Sequence, residues 1–204
     1  MINTSKQFYG QQENEKILYV VKPHFLATLF NLIKVYIIAV AVFAIFFMMA
    51  EIISKEANLL HILGVVISAT IFIIGTKFIK SYEKRNVGYI TDRRIVRFDP
   101  TTFFATNIRT LSWDEAVKVK TFSPNMLYKQ AMVGTVVIHA RTSVKTTDEE
   151  ISHSMAADDI ELKDVYLYRD LGNYIDKILY TYKQIPAEMK KIRSFIPKPK
   201  GKRY

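Results

Sequence analysis

The 204 residues contain no cysteine. A disulfide framework, a thiol nucleophile and every Cys-based zinc site are therefore excluded. Histidine is sparse: His24, His61, His139 and His153 are scattered, with no His-x-x-x-His pair and no His–carboxylate spacing that suggests a metal. Phosphate-cradling glycine loops and a serine-nucleophile elbow are also missing, so no catalytic constellation emerges and neither enzymatic activity nor a cofactor is expected. Asp148-Glu149-Glu150 and Asp158-Asp159 lack the spacing of a calcium loop and read as solvated loop. His139, alone on a β-prone run, reads as a packing or surface residue. Trp113, the single tryptophan, reads as a core or rim anchor.

Charge is missing from two long runs. Residues 35–50 and 57–76 carry no Asp, Glu, Lys or Arg over 16 and 20 residues. At ~1.5 Å per helical residue the second run spans ~30 Å, one bilayer core. The first reaches that length when extended back past Lys34, whose ammonium can snorkel to the headgroups. The residues before the runs are polar and mixed in charge, and Met48-Met49-Ala50 has no small-x-small cleavage site, which argues against a signal peptide. Two such runs in so small a protein are also hard to cover as a buried soluble hairpin. A transmembrane helical hairpin over 25–80 is expected, with helices at about 33–50 and 57–76 and with 25–33 starting the first helix in the interface. Tyr36 then serves as a shallow aromatic anchor. Thr28 and Asn31 read as interfacial positions, and His61 as a neutral residue near the outer headgroups.

Basic residues set the orientation. Lys22 and Lys34 flank the first run, and Lys77, Lys80, Lys84 and Arg85 follow the second. The connection offers only Lys55 beside Glu51 and Glu56. Both termini are expected in the cytoplasm of a multi-pass protein of the cell membrane. The formal charge of +10 is just as uneven, because 81–182 is neutral while 183–204 carries eight basic side chains and Glu188.

From Tyr82 the pattern changes to short β-prone runs: 87–91, 94–98, 103–111, 117–122 and 134–140, with a last short run at 160–162. Asp92-Arg93, Asp99-Pro100-Thr101-Thr102, Ser112-Trp113-Asp114-Glu115 and Ser123-Pro124-Asn125 separate the first five. Residues 142–158 read as a polar loop. Val165, Tyr168, Leu171, Ile175, Ile178, Leu179 and Tyr182 then recur at helical spacing, with Asp164 as a plausible N-cap. Gly172 costs that helix about 1 kcal/mol against alanine. Strands followed by one helix imply an α+β arrangement, a small β-barrel or sandwich plugged by the helix. The expected division is a cytoplasmic N-terminal segment 1–24, the hairpin 25–80, a folded domain 81–183 and a basic flexible tail 184–204.

Several of these residues carry a resemblance. Glu15-Lys16-Ile17-Leu18 leading to Lys22-Pro23-His24 before a two-helix hairpin, then Gly88-Tyr89-Ile90-Thr91-Asp92-Arg93-Arg94-Ile95, resemble the bacterial pleckstrin-homology-like (PH-like) membrane proteins of the two-helix type. Leu111-Ser112, Gly134-Thr135-Val136-Val137-Ile138 and Leu162-Lys163-Asp164-Val165 continue the likeness, which covers roughly 15–182. It implies a barrel of two antiparallel sheets capped by a C-terminal helix. Joined to the hairpin, the charge asymmetry and the lack of catalytic residues, it leads to the expectation of a non-enzymatic binding or scaffolding module. It also suggests Arg93 and Arg94 as lipid-headgroup contacts, against the alternative of a solvated turn. The tail residues Lys190, Lys191, Arg193, Phe195, Lys198, Lys200, Lys202 and Arg203, with Ile196, match an anionic-lipid contact. A nucleic-acid arm has a similar composition and is the less favoured partner, since membrane tethering confines the tail. A protein partner or a second copy is left open, as is a role as an accessory subunit of a membrane enzyme or transporter.

Overall fold

A computed structural model describes residues 7–53, 57–102, 104–141 and 159–197. The chain is α+β and divides into two compact units. The first comprises Phe25–Arg85 with Thr102–Phe104. Its helices are α1, Phe25–Ile52, and α2, Ala57–Arg85, of 28 and 29 residues. At ~1.5 Å per residue both exceed 40 Å. Their apolar side chains point outward all round: Ile37, Ile38, Val40, Phe43, Ile45 and Met48 of α1 and Ile62, Val65, Val66, Phe72, Ile73 and Ile74 of α2 are exposed. The buried positions are small instead, namely Ala27, Ala39, Ala50 and Gly64. A Cβ on Gly64 would stand 2.7 Å from Phe46 Cβ, so glycine sets the closeness of the two helices. Small residues inside and large ones outside is the pattern of helices packed in lipid rather than in water. Thr70 and Thr76 donate their hydroxyls to the carbonyls of Val66 and Phe72. Neither hydroxyl then depends on water.

The second unit holds two antiparallel sheets. Strands β1 (Ile17–Val21), β2 (Val87–Thr91), β3 (Arg94–Pro100) and β4 (Thr106–Ser112) form one in sequence order. Strands β5 (Ala116–Phe122), β6 (Val133–Ala140) and β7 (Ile160–Tyr166) form the other. The short helix α3, Met126–Gln130, joins β5 to β6, and α4, Tyr168–Gln184, follows β7 and packs on β5 and β6. Neither sheet closes on itself among the described residues. Alternate residues of the strands meet Leu171, Ile175 and Ile178 of α4 in one core with Leu18, Ile90, Ile95, Leu111, Ile138 and Leu162. Trp113 lies fully inside it and donates its indole N–H to the Thr91 carbonyl. Burial of each large apolar side chain is worth about 1.5–3 kcal/mol.

Several sequence expectations change. Residues 17–21, assigned to an N-terminal flank, form the edge strand β1, which pairs Val21 with Gly88 across the whole hairpin. Leu18 and Val21 give it a core face that the lysines around it obscure. Strand β3 runs through Asp99 to Pro100, where a turn was expected, and β4 starts at Thr106. Proline is tolerated there because it ends the strand. Strand β7 continues to Tyr166, with Asp164 at φ 55° in a bulge opposite Thr135. Asp164 is therefore not a helix cap: α4 starts after Leu167, itself left-handed at φ 52°, whose N–H donates to the Met132 carbonyl. The polar run 142–158 lies outside the described residues.

Gly172 has the opposite meaning to its propensity. A Cβ there would overlap Thr121 Cγ2 of β5, so glycine lets α4 lie against the sheet. Gly172→Ala is expected to lower stability by about 1–3 kcal/mol despite the better helix propensity. Thr121→Ser, which removes the clashing methyl, should restore most of it. Thermal melts of the detergent-solubilised protein followed by near-UV circular dichroism measure both.

Candidate functional site

The helical unit arranges its flanking lysines by level. Val35 packs on Gly75 and Tyr36 stacks on Phe72 at 4.7 Å, so the antiparallel helices place the adjoining Lys34 and Lys77 side by side along the hairpin. Tyr36 therefore packs in the seam of the helix pair. Beyond that level each helix continues for about 12–14 Å, to Phe25 in α1 and to Arg85 in α2. Lys80 and Lys84 are exposed on this extension, while Arg85 donates to the carbonyls of Ser81 and Thr102. His61 rests against Phe47 at 4.8 Å, and its Nε2 has no hydrogen-bond partner. No group of three metal-ligating side chains exists among the described residues.

The β-rich unit has a definite end at which the chain enters α1 and returns from α2. Lys22 is exposed there, between Val21 and α1. The His24 N–H donates to the Asp164 carbonyl at 2.6 Å, and its ring stacks on Tyr166 at 5.5 Å. Burial holds that imidazole below its ordinary pKa. Tyr166 pairs with Val133, directly after the α3 loop, so the start of α4 and the whole β5–β6 connection belong to this junction end.

Arg93 and Arg94 lie at the other end of β2. Ile17 pairs with Thr91 and Val21 with Gly88, so the pair stands about 20 Å along the strand from the junction at ~3.4 Å per residue. Arg94 is also committed: its Nε and Nη2 grip the fully buried Glu15 carboxylate at 3.0 and 3.1 Å, and Nη2 reaches the Gly10 carbonyl. Arg93 reaches Gln12 Oε1 at 3.1 Å. Both arginines thus fasten the N-terminal segment, whose Phe8 stacks on Tyr89 at 4.6 Å over the outer face of the four-stranded sheet. At this turn Arg94 is engaged by Glu15, while Arg93 is exposed.

The start of the tail is ordered against the domain. Pro186–Lys191 forms a 3-10 helix, and Met189, Ile192 and Phe195 pack on the core. Phe195 meets Tyr19 edge-on at 4.9 Å and Tyr174 at 5.2 Å, so its half-buried ring is engaged by the unit. The Tyr174 hydroxyl, raised to about 12 by burial, donates to the Arg193 carbonyl. Tyr174 lies ten residues before the end of α4, so the chain doubles back about 15 Å along that helix. Lys190, Lys191 and Arg193 stay exposed on the outer side, with Lys191 near Glu188 at 3.5 Å. Lys198, Lys200, Lys202 and Arg203 lie outside the described residues.

Sequence reasoning missed a polar network between the two sheets. The Asp99 carboxylate takes Arg97 at 2.6 Å and also Arg109. Arg109 continues to the Asp159 carbonyl, and the buried Asp159 carboxylate accepts from the Ala140 N–H and meets His139 Nδ1 at 2.8 Å. Asp159 is therefore not part of a solvated acidic loop. The one signal available was alternation: Arg97 and Asp99 fall on the strand positions that continue the inward series from Ile95.

The chain matches no protein-family model, no curated protein and no solved structure.

The Glu15–Arg94 clamp sets an acid limit. Burial pushes the Glu15 carboxyl up, but hydrogen bonds from Arg94, the Gln12 N–H and Thr91, with the Arg94 charge, hold it below its ordinary 4.5. A carboxyl lowered in the folded state stabilises fully above pH 4.5, and that contribution is lost as pH falls through the lowered value. Glu15→Gln is expected to cost about 1–3 kcal/mol at neutral pH. It should also flatten the loss of melting temperature between pH 5 and pH 3, as read by a pH series of melts.

Proposed function

We propose that the chain is an integral membrane protein that displays a PH-like domain at the cytoplasmic face of the cell membrane, as a non-enzymatic binding and scaffolding module. The observation that carries this reading is the helical hairpin. Its large apolar side chains face outward all round, its buried positions are Ala and Gly, and it is spliced between two paired strands. In water such a surface would drive aggregation, whereas in a bilayer it is solvated. Both helices are long and apolar enough to cross. Because β1 and β2 pair beside the junction, an excursion that leaves and returns there crosses an even number of times. The six flanking basic residues fall on the junction side and Glu51 on the other, which supports a cytoplasmic location for both termini.

The PH-like reading rests on antiparallel sheets of four and three strands with a helix packed on the second, and on the motif resemblance. The lipid contacts narrow to the junction side, with anionic headgroups as the ligand. Lys22, Lys34, Lys77, Lys80 and Lys84 line the chain's entry and exit, and Arg85 closes it. The doubled-back tail carries Lys190, Lys191 and Arg193 on its exposed face. Each basic residue near an anionic surface adds about 1 kcal/mol, and the attraction decays over a Debye length of ~8 Å. A protein partner or a second copy would bind the remaining exposed surface.

The absence of native cysteine makes topology directly measurable. In inverted and right-side-out vesicles, Cys placed at Glu51 is expected to react with an impermeant maleimide only from the external face. Cys placed at Lys190 is expected to react only from the cytoplasmic face. Reaction of both from the same face rejects the hairpin topology. A fragment starting at 82 would lack β1 and is unsuitable for lipid binding, so the tail is tested in the full chain. Replacing Lys190, Lys191, Arg193, Lys198, Lys200, Lys202 and Arg203 by Gln should raise tail proteolysis in anionic proteoliposomes, and high salt should erase the difference.

A further inference from the structure

The loop between β5 and β6 leaves unusual apolar surface exposed. Met126 and Leu127 are 73% and 62% exposed, and Phe122 and Met132, at its two ends, are 48% and 43% exposed. The loop is built rather than loose. Asn125 accepts the Tyr128 N–H through its side chain at 2.9 Å, and Ser123 Oγ donates to the Val133 carbonyl at 3.1 Å. Tyr128 is buried, and Met132 takes φ 58° to return the chain to β6. The tip thus holds Met126 and Leu127 outward against a fixed base.

Its charge is one-sided. Residues 116–141 contain no Asp or Glu, and Lys118, Lys120 and Lys129 are exposed. Lys118, Lys120 and Phe122 share one face of β5, while Val119 and Thr121 face Gly172 of α4. The half-buried Asp164 carboxylate acts on the loop's Tyr128. The position is equally specific: Leu167 donates to Met132, Val133 pairs with Tyr166, and Tyr166 stacks on His24, the residue before α1. The tip therefore belongs to the end of the unit where the chain passes into the apolar helices.

We propose that this tip is a second membrane contact, with Met126 and Leu127 entering the interfacial zone of an anionic bilayer while Lys118, Lys120 and Lys129 engage lipid phosphates. Apolar side chains flanked by lysines fit a surface that is negative at the headgroups and apolar beneath. A second copy fits poorly, because an isologous contact would set two basic tips against each other. The contact rests on the membrane-hairpin reading and goes beyond it. It gives the domain a fixed orientation to the bilayer, which the hairpin and a basic tail alone do not.

The test uses the full chain in nanodiscs, with an environment-sensitive fluorophore on a single introduced cysteine. Labels at Met126→Cys and Leu127→Cys are expected to shift to the blue in phosphatidylglycerol discs. They should also be quenched by a lipid carrying a doxyl spin label high on its acyl chain. Discs of phosphatidylcholine alone, or combined Lys118→Gln, Lys120→Gln and Lys129→Gln, should reduce that quenching several-fold. A label at Arg93→Cys should stay unquenched. A label at Ile38→Cys, inside α1, should be quenched in every disc. Unquenched tip labels beside a quenched Ile38 label overturn the tip contact and leave the hairpin reading standing. Blue-shifted but unquenched tip labels also overturn it, since protein rather than lipid then covers the tip. Equal quenching in neutral discs overturns the anionic partner. An unquenched Ile38 label removes the hairpin reading, and the tip contact with it.

Discussion

An antiparallel pairing holds β1 to β2 although two long helices separate them in the chain. It joins residues on either side of the hairpin, with Val21 opposite Gly88 and Ile17 opposite Thr91. Closing so long a loop is entropically unfavourable, though the cost grows only slowly with length. The hairpin lowers it by bringing its own ends together through the small-residue seam of Gly64, Gly75 and Ala39. Each unit therefore favours the geometry of the other through chain connectivity alone. Without β1, β2 would become an unprotected edge and the core would lose Leu18 and Val21.

The N-terminal segment is tied down by a different kind of force. Phe8 covers Tyr89 and Phe98 on the outer face of the four-stranded sheet, and the Glu15–Arg94 pair locks the segment at the β2–β3 turn. A buried carboxylate is costly unless it is paired and fully hydrogen-bonded, and Glu15 meets both conditions through Arg94, Thr91 and the Gln12 N–H. Residues 8–21, which read as part of a flank in the sequence, are thus part of the domain.

Between the sheets, charge takes over where apolar packing ends. Ile95 and Leu111 belong to the core, while Arg97 and Arg109, two residues along the same faces, share Asp99. Burial lowers the Arg97 pKa, and Asp99 and Glu161 oppose that shift. Through Arg109 and the Asp159 carbonyl the network links the four-stranded sheet to the start of β7. Its His139–Asp159 pair is held within this scaffold.

Features that depend on composition and local period are legible along the chain. Charge-free runs mark the apolar stretches of α1 and α2. Alternation places β2, β3, β5 and β6 within a few residues, and the three- and four-residue spacing of Leu171, Ile175 and Ile178 places α4. Tertiary structure decided whatever depends on a partner distant in the chain. Residues 17–21 are a strand because β2 offers an edge, and Phe195 is docked because Tyr19 and Tyr174 form its seat. Gly172 is required because Thr121 lies beneath it, and Arg94 is engaged because Glu15 folds back onto it. Propensity and charge are properties of a residue and its neighbours in sequence. Packing clearance and ion pairing are properties of two segments brought together, and only the folded chain specifies which segments those are.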